Sequence, residues 1–321
     1  MDCGVPIRCL YKRMEYIRGL DNYISERPSV VMIGKFDGLH LGHQRLLKTV
    51  AALAEDEDLI SIVLAFDMIP MLQERGLLTG VLMERSEKRA YLEDKADCFI
   101  DCPFDASIWD TEAEVFIRRE LTERLHVRHV VVGEDFRFGK DRLGDTKMLE
   151  EMSADSGYTL HVIPDVYRGK NKISSRYITE DLKAGKIEKV NEQLGHPWQI
   201  IGRIRHGQAM GRKAFGMATI NIVPDPVKAL PPYGVYVVEA VIDGEEVRGV
   251  ANLGVKPTVT SLDRPVLEVH LIDYDREIYD KDVTVLFYHY LRAEQKFDDV
   301  NALRMQMKAD LRSARRCWQE K

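Results

Sequence analysis

The chain has 321 residues, of which 45% are hydrophobic and 31% are charged, and its formal net charge at pH 7 is -6. This length exceeds the size at which one hydrophobic core usually keeps growing, so we expect two domains. The acidic balance gives no overall excess of positive charge for holding a phosphate backbone, so nucleic acid is not an expected partner.

The cellular location follows from what the sequence lacks. The N-terminal segment contains no apolar run of signal-peptide length, and no later segment approaches the roughly 18 apolar residues of a membrane span. The five cysteines are an odd number in a chain of this size, which suits reduced thiols better than a disulfide framework. We therefore expect a cytoplasmic protein without a membrane partner, and the oligomeric state stays open.

The first half of the chain alternates short β-branched runs with segments of helical period. The strand-like runs are SVVMI from Ser29, LISIVLAF from Leu59, RHVVV from Arg128 and YTLHVI from Tyr158. The helix-like segments are LGHQRLLKTVAALAED from Leu41 and EAEVFIRRELTERL from Glu112. This alternation predicts an α/β domain with a parallel sheet flanked by helices.

The second half changes to apolar residues of period two. The runs are IIGRIRH from Ile200, GVYVVEAVID from Gly234, EEVRGVANLG from Glu245, VLEVHLIDY from Val266 and KDVTVLFYHYL from Lys281. They predict a small antiparallel β-barrel. An amphipathic helix near Asp298 to Arg316 closes it, with one apolar face that contains Val300, Leu303, Met307 and Leu311. We place the two domains at residues 1–186 and 187–321.

Two histidines follow the first strand at the start of a helix. The segment GKFDGLHLGH, residues 34–43, contains His40 and His43 three positions apart. A helix N-terminus presents unpaired N–H groups to anions, and glycines allow the backbone to approach a ligand closely. This is suitable chemistry for nucleotidyl transfer, in which positioning and electrostatics do most of the work. A strand–turn–helix with incidental histidines is the alternative for this spacing alone.

The histidine segment resembles the HxGH signature of the nucleotidyltransferase superfamily. Its FDGxHxGH form is similar to the FMN adenylyltransferase module of prokaryotic FAD synthetases. The resemblance implies a Rossmann-like domain in which His40 and His43 are catalytic and interact with ATP phosphates. It also implies ATP and phosphate contacts by the residues around them, which are Gly34, Phe36, Gly38 and Gly42.

Two further segments extend this resemblance. VVVGEDFRFGKDRLG, residues 130–144, is similar to the family loop that lines the flavin and nucleotide site. The implied flavin-binding residues there are Asp135, Arg137 and Gly139; Phe136 and Phe138 have core packing as their alternative role. KISS, residues 172–175, is similar to the family's ISS motif, which implies phosphate contacts by Ser174, Ser175 and the following Arg176. A serine N-cap for the next helix is compatible with this role.

The first half also departs from the family pattern at two places. The family segment TFxPHP reads AFDMIP at residues 65–70, so that it supplies no histidine. The arginine that usually follows the ISS motif is replaced by Thr179, while Arg176 stands three residues earlier.

A glycine-rich segment opens the second half. HGQAMGRKAFGMATINI, residues 206–222, resembles the riboflavin kinase segment whose core is usually GFPTAN. The resemblance implies that Thr219 and Asn221 hold Mg²⁺ and ATP phosphate, with Gly207 and Lys213 as further phosphate contacts. Oxygen ligands suit this hard cation. Without the resemblance, Thr219 and Asn221 would be interpreted as turn residues.

The strand that follows carries a candidate general base. In LEVHL, residues 267–271, Glu268 and His270 alternate with apolar residues and share one face of the strand. The segment resembles the family's LExHL pattern, which implies that Glu268 accepts the proton of the riboflavin 5′-hydroxyl. LRAEQKF, residues 291–297, resembles the family run beside the flavin and implies flavin contacts by Arg292, Glu294 and Phe297.

Together these resemblances imply a bifunctional enzyme of FAD synthesis. It would phosphorylate riboflavin to FMN with ATP, adenylylate FMN to FAD with a second ATP, and use Mg²⁺ in both steps. Three alternatives stay open. One is a riboflavin kinase with a weakened adenylyltransferase site, a second is a flavin-binding protein with both sites degenerate, and a third is a nucleotidyltransferase for CTP or a pantetheine substrate, which leaves the barrel unexplained.

Overall fold

The computed structural model describes residues 13–205, 218–255, 264–274, 276, 278 and 280–319. The chain forms two compact units, Met1–Leu78 with Lys88–Lys172 and Thr79–Glu87 with Ile173–Lys321. The second unit therefore contains a short segment from the first half of the sequence. The boundary at residues 186 and 187, which divides the chain by activity, stays a prediction.

The first unit is built on one large sheet and two small hairpins. Its strands are β1 (Glu15–Arg18), β2 (Ser29–Gly34), β3 (Ile60–Asp67), β4 (Cys98–Pro103), β5 (Val127–Gly133), β6 (Arg137–Phe138), β7 (Gly144–Asp145), β8 (Thr159–Ile163), β9 (Tyr167–Arg168) and β10 (Asn171–Lys172). The six-stranded sheet has the order β1-β4-β3-β2-β5-β8 with parallel pairings throughout. Strands β2 and β3 are buried along nearly their whole length, as a parallel sheet covered on both faces requires.

Helices connect these strands. They are α1 (Leu41–Asp56), α2 (Ile69–Glu74), α3 (Arg85–Leu92), α4 (Ala106–Trp109), α5 (Ala113–Val115) and α6 (Thr146–Ser156), and a π-helical segment, Phe116–Arg124, continues α5. Helix α1 begins at the predicted position and buries one apolar face. The predicted α/β domain with a parallel sheet is confirmed.

The second unit contains a curled antiparallel sheet. Its elements are α7 (Ser175–Lys183), α8 (Ile187–Leu194), β11 (Trp198–Arg203), β12 (Thr219–Ile222), β13 (Gly234–Ile242), β14 (Glu245–Val255), β15 (Pro265–Leu271), β16 (Asp282–Ala293) and α9 (Val300–Gln319). The strand order is β11-β16-β13-β14-β15-β12. A backbone hydrogen bond from the Arg205 N–H to the Asn221 carbonyl, 2.9 Å long, links the chain after β11 to the other edge strand. The predicted antiparallel β domain with a closing helix is confirmed, and its sheet is a curled half-barrel.

One face of this sheet packs against α9. Ala314 and Trp318 of the helix join a cluster with Val235, Val237 and Val250. The helix contacts this cluster through its C-terminal half, so Val300 at its first turn is 61% exposed. The predicted helix is confirmed, and Val300 is exposed because the contacts of α9 with this cluster lie further along the helix.

The segment Thr79–Glu87 is bound to the second unit by backbone and charge. Val81 forms a parallel bridge with Lys228. The Lys228 ammonium donates to the Leu82 carbonyl at 3.0 Å and forms an ion pair with Glu87, and both charged side chains are 0% exposed. The ring of Trp198 lies 5.1 Å from the same ammonium. A position in the first half of the sequence thus supplies the counter-ion of a lysine in the second.

Candidate active sites

The first candidate site lies where the order of the parallel sheet reverses. Strands β3 and β4 lie on one side of β2, and β5 and β8 lie on the other. Open parallel sheets bind ligands at such a switch point, beyond the carboxyl ends of the strands. The loop from β2 to the N-terminus of α1, residues 35–40, leaves the sheet at this point.

This loop has an unusual backbone that its side chains stabilise. Phe36 and Leu39 have φ angles of 49° and 41°, and both residues are buried. Positive φ is uncommon outside glycine and concentrates at functional sites. A Cβ at Gly34 would lie 2.8 Å from the Phe36 ring, and a Cβ at Gly42 would lie 3.1 Å from the His40 ring. The structure thus places Phe36 and Gly38 in this loop and Gly34 and Gly42 beside its two ends, and their phosphate contacts stay predictions.

His40 and His43 stack on each other at the start of α1. Their ring centroids are 3.7 Å apart at an interplanar angle of 18°. Burial lowers the pKa of His40 to about 4 and lowers the pKa of His43 well below its ordinary value. Both rings are therefore neutral at pH 7. Among the described residues, the buried Nδ1 atoms of both rings have no hydrogen-bond partner.

Positive side chains surround the loop. The Lys88 ammonium donates to the Lys35 carbonyl at 3.0 Å. Burial lowers the pKa of Lys35, and the positive charge of Arg142 lowers it further. The Lys172 charge also acts on His40. Sequence analysis did not select Lys35, Lys88 or Arg142, because their proximity arises from three separate segments. Their charges favour an anionic ligand.

The predicted flavin loop is folded tightly beside this region. Gly139 has a φ of 69°, and a Cβ there would lie 2.8 Å from the Ala113 backbone, so this position requires glycine. Arg137 pairs with Asp145 at 2.5 Å, and Asp135 pairs with Lys172 at 2.8 Å. Their roles toward flavin stay predictions.

The two phenylalanines of this loop have the core-packing role that the sequence left open as an alternative. The rings of Phe136 and Phe138 stack with centroids 5.4 Å apart. Phe138 is a buried member of the core of the first unit, and Phe136 packs against that core. Packing therefore explains both residues.

The segment that departs from the TFxPHP pattern contains a buried carboxylate. Asp67 accepts a hydrogen bond from the Ile69 N–H at 3.1 Å and pairs with Arg18 at 2.9 Å. Arg18 also pairs with the buried Asp101 at 2.5 Å. This ion-pair network connects the carboxyl ends of β1, β3 and β4.

The ISS segment opens α7 in the second unit. Ser174 occupies the N-cap position, although its side chain makes no capping hydrogen bond within the described residues. The Thr179 hydroxyl donates to the Ser175 carbonyl at 2.8 Å. Arg176 pairs with Glu180 at 3.1 Å, and its side chain is 83% exposed. The phosphate contacts of Ser174, Ser175 and Arg176 stay predictions.

The second candidate site is a row of polar side chains across three strands. Asn221 of β12 and Asn252 of β14 are the cross-strand partners of Glu268 on β15. Thr219 is the partner of His270, and its Oγ1 lies 3.0 Å from the His270 Nδ1. Directly paired residues point to the same face of an antiparallel sheet. The structure thus brings Thr219 and Asn221 together with Glu268, which lies far from them in the sequence.

This row fits a magnesium ion that also binds phosphate. Thr219 supplies a hydroxyl oxygen and Asn221 an amide oxygen on the same face as the Glu268 carboxylate. Mg²⁺ prefers oxygen donors, and proteins usually hold it with few side chains plus substrate phosphates and water. The other predicted phosphate contacts, Gly207 and Lys213, lie outside the described residues.

Of the predicted flavin residues, Arg292 lies near the end of β16, and Glu294 and Phe297 follow this strand. Arg292 forms a bidentate ion pair with Asp310, and its guanidinium carbon lies 5.9 Å from the centre of the Phe297 ring. The Asn252 amide donates to Glu294 at 3.1 Å. Sequence analysis missed Asp310 and Asn252, since an acid on a helix and an amide on a strand have no signal without the tertiary contact.

Gly254 leaves the space that the Glu294 carboxylate occupies. A Cβ at Gly254 would lie 1.8 Å from a Glu294 carboxylate oxygen. Any larger residue would therefore displace this carboxylate from Asn252, which is the cross-strand neighbour of Glu268.

Comparisons with known proteins identify a family for each half of the chain. A family model described as FAD synthetase matches residues 23–177, and one described as riboflavin kinase matches residues 194–318. In the part of the chain that the structure describes, no helix is long and apolar enough to cross a membrane.

Curated relatives match nearly the whole chain. A protein of Pseudomonas fluorescens named bifunctional riboflavin kinase/FMN adenylyltransferase is 35% identical to this chain. The alignment covers 94% of this chain and 97% of that protein. One with the same name from Haemophilus influenzae is 36% identical, with 94% and 98% covered.

A solved structure shares the fold over the same extent. It is described as a macrolide-efflux protein from Streptococcus pneumoniae, with a TM-score of 0.83, 27% identity, and 94% of this chain and 99% of that chain covered. The two family models and the curated relatives together support both activities rather than one. The chain belongs to the family of bifunctional riboflavin kinase/FMN adenylyltransferases.

Proposed function

We propose that this chain makes FAD from riboflavin in two transfers. The second unit phosphorylates riboflavin with ATP to give FMN and ADP. The first unit then adenylylates FMN with ATP to give FAD and pyrophosphate. The observation that carries this proposal is that one chain holds both constellations, the histidine pair at the start of α1 and the Asn221–Glu268–Asn252 row.

In the kinase step, Glu268 takes the proton of the riboflavin 5′-hydroxyl as that oxygen attacks the γ-phosphorus of ATP. Thr219 and Asn221 would hold Mg²⁺, which supplies positive charge at the phosphate oxygens when it is bound. His270 shares the face of Glu268, but its Nδ1 lies within hydrogen-bond distance of Thr219 Oγ1. This contact supports Glu268 as the base and gives His270 the role of orienting Thr219.

In the adenylyl step, the FMN phosphate attacks the α-phosphorus of the second ATP and pyrophosphate leaves. The backbone N–H groups at the start of α1 and the neutral rings of His40 and His43 donate hydrogen bonds to phosphate oxygens. Lys35, Lys88 and Arg142 add positive charge where negative charge accumulates. Neither transfer requires a covalent enzyme intermediate, because each nucleophile belongs to the flavin substrate.

The substrates are small molecules, and the other partner predictions follow from composition. We propose a cytoplasmic enzyme that binds riboflavin, FMN and MgATP and has no role toward nucleic acid, since its net charge is -6.

A chromatographic assay tests the function as a whole. The purified chain is incubated with riboflavin, ATP and Mg²⁺, and the flavins are separated. Accumulation of FAD is expected. FMN as the sole product would indicate that only the kinase site is active, and unchanged riboflavin would contradict both assignments.

A further inference from the structure

The guanidinium of Arg292 is held along one edge by a buried acid of α9. Its Nε lies 3.0 Å from Asp310 Oδ1, and its Nη2 lies 2.7 Å from Asp310 Oδ2. Asp310 is 6% exposed. The Gln306 amide, one helical turn earlier, donates to Asp310 Oδ1 at 2.9 Å. The carboxylate is therefore fixed by its own helix while it holds the arginine.

The other hydrogen bonds of Arg292 determine how many of its N–H groups are available to a ligand. A guanidinium has five N–H donors in a rigid plane. Within the described residues, Asp310 takes one Nε–H and one Nη2–H, and the Ala293 carbonyl takes one Nη1–H at 3.0 Å. Two N–H groups remain for a ligand. With the Phe297 ring 5.9 Å away, these donors suit a planar heteroaromatic ligand that carries carbonyl oxygens.

A contribution to folding stability does not by itself explain the Arg292–Asp310 ion pair. A buried pair gains little over well-packed apolar side chains, because both charges lose their hydration. Helix α9 also carries an exposed pair, Arg315 with Asp273 at 3.2 Å, with side chains 60% and 82% exposed. Only the Arg292 pair involves a residue that the family resemblance places beside the flavin, so orientation of the guanidinium is the function that its geometry fits.

We propose that Asp310 is a positioning residue of the kinase step, which holds Arg292 so that its two remaining N–H groups donate to the ring of riboflavin. This inference rests on the proposed function and on the family resemblance, which implies that Arg292 contacts the flavin. Helix α9 thereby becomes part of the substrate site in addition to closing the half-barrel.

The test compares two substitutions in the full chain. Asp310→Asn keeps the size of the side chain and removes its charge and its second acceptor oxygen. We expect the KM for riboflavin to rise about tenfold, which corresponds to one weakened charge-assisted hydrogen bond. The kcat of the kinase step should stay within about twofold, since Glu268 and the phosphate contacts are untouched. FAD formation from supplied FMN should not change.

Direct binding separates positioning from a general loss of structure. Quenching of riboflavin fluorescence by the protein should weaken by the same factor as the KM, at a temperature below the unfolding transition. Asp273→Asn is the matched control, because it breaks the exposed ion pair of the same helix and asparagine tolerates the φ of 55° at this position. It should leave the KM unchanged.

A double-mutant cycle decides whether Asp310 acts through Arg292. If it does, Arg292→Gln with Asp310→Asn is no worse than Arg292→Gln alone. Independent, additive effects would overturn the inference. An unchanged KM in Asp310→Asn beside a raised KM in Arg292→Gln would overturn the inference and leave the proposed function intact. A silent Arg292→Gln would overturn both the flavin role of Arg292 and the inference.

A second variant covers the case in which Asp310→Asn does not fold. Asp310→Glu keeps the buried charge and displaces the guanidinium by one methylene group. We expect a raised KM for riboflavin with an unchanged kcat. An unchanged KM in a folded Asp310→Glu protein would contradict the positioning role.

Discussion

At the scale of single residues, the kinase site depends on the environment of one carboxylate. Glu268 lies between Asn221 and Asn252 on neighbouring strands, and each is its direct cross-strand partner. One amide side chain thus lies on each side of the proposed general base, and the Asn252 amide also donates to Glu294.

Glu268→Gln should slow the kinase step by roughly 10²- to 10⁴-fold, the usual contribution of a positioned general base. Binding of riboflavin and MgATP should survive, because the amide has the same shape. The measurement is single-turnover formation of FMN. His270→Ala is the comparison, and near-normal turnover in Glu268→Gln with loss of turnover in His270→Ala would transfer the role of base to the histidine.

A second carboxyl has a pH-dependent effect on stability. Burial raises the pKa of Glu84 to about 7, and the charge of Glu87 contributes to the same direction, while Lys228 opposes it. The unfolded chain has the ordinary value of 4.5. Between these two values the folded state binds more protons than the unfolded state, so stability falls as the pH rises through this window.

Glu84→Gln should remove this loss of stability. We expect a melting temperature above that of the parent at pH 8 and close to the parent at pH 4.5, where the carboxyl is largely protonated in the folded chain. Thermal unfolding at both pH values is the measurement, and the exposed Glu246→Gln is the control. A higher melting temperature at pH 4.5 alone would have the wrong sign.

At the scale of elements, the proposed adenylyl site depends on the start of α1. The preceding loop holds Phe36 and Leu39 at positive φ and seats His40 as the N-cap. Neutral histidines there donate hydrogen bonds through one nitrogen each, so their role does not require protonation.

His40→Ala with His43→Ala should abolish FAD formation from FMN, because two phosphate donors are lost, while FMN formation from riboflavin continues. Both reactions are measured on the same preparation by flavin chromatography. Thr49→Ala, on the exposed side of α1, is a control for changes to the helix itself, since its hydroxyl donates only to the Arg45 carbonyl in the described structure. Unchanged FAD synthesis in the double mutant would remove the histidines from the site.

At the scale of the whole molecule, the two units are not two consecutive stretches of chain. The second unit includes Thr79–Glu87, and Lys228 of the sheet region finds its counter-ion in Glu87. The Glu87 carboxylate also accepts hydrogen bonds from the N–H groups of Glu84 and Ile201. A folded second unit therefore requires a segment that the sequence supplies more than a hundred residues earlier.

Lys228→Met should destabilise the second unit by about 3–5 kcal/mol, because it leaves a buried carboxylate without its cation. The measurement is chemical denaturation monitored by intrinsic fluorescence. Lys281→Met breaks the exposed pair with Asp243 and should leave the free energy of unfolding nearly unchanged. Equal losses in the two variants would contradict the special role of the buried pair.

The sequence by itself determined the fold class, and it supplied the candidate site residues, whose roles stay predictions. Period two and period 3.6 are local properties of the chain, so they correctly predicted the parallel sheet, the curled antiparallel sheet of the barrel region and α1. The HLGH segment and Glu268 were recognisable because their motifs are short and contiguous. The exposure of Val300 could not be predicted, since helical period indicates which residues share a face but not where along the helix its contacts begin.

Only the tertiary structure decided which distant residues meet. Asn252 beside Glu268, Asp310 on Arg292, and Lys88 at the loop of the histidines each join segments whose separation along the chain carries no signal. The same holds for Glu87 and Lys228. Such pairs depend on strand register and on the path of the chain, which are set by the packing of the whole core rather than by any local pattern.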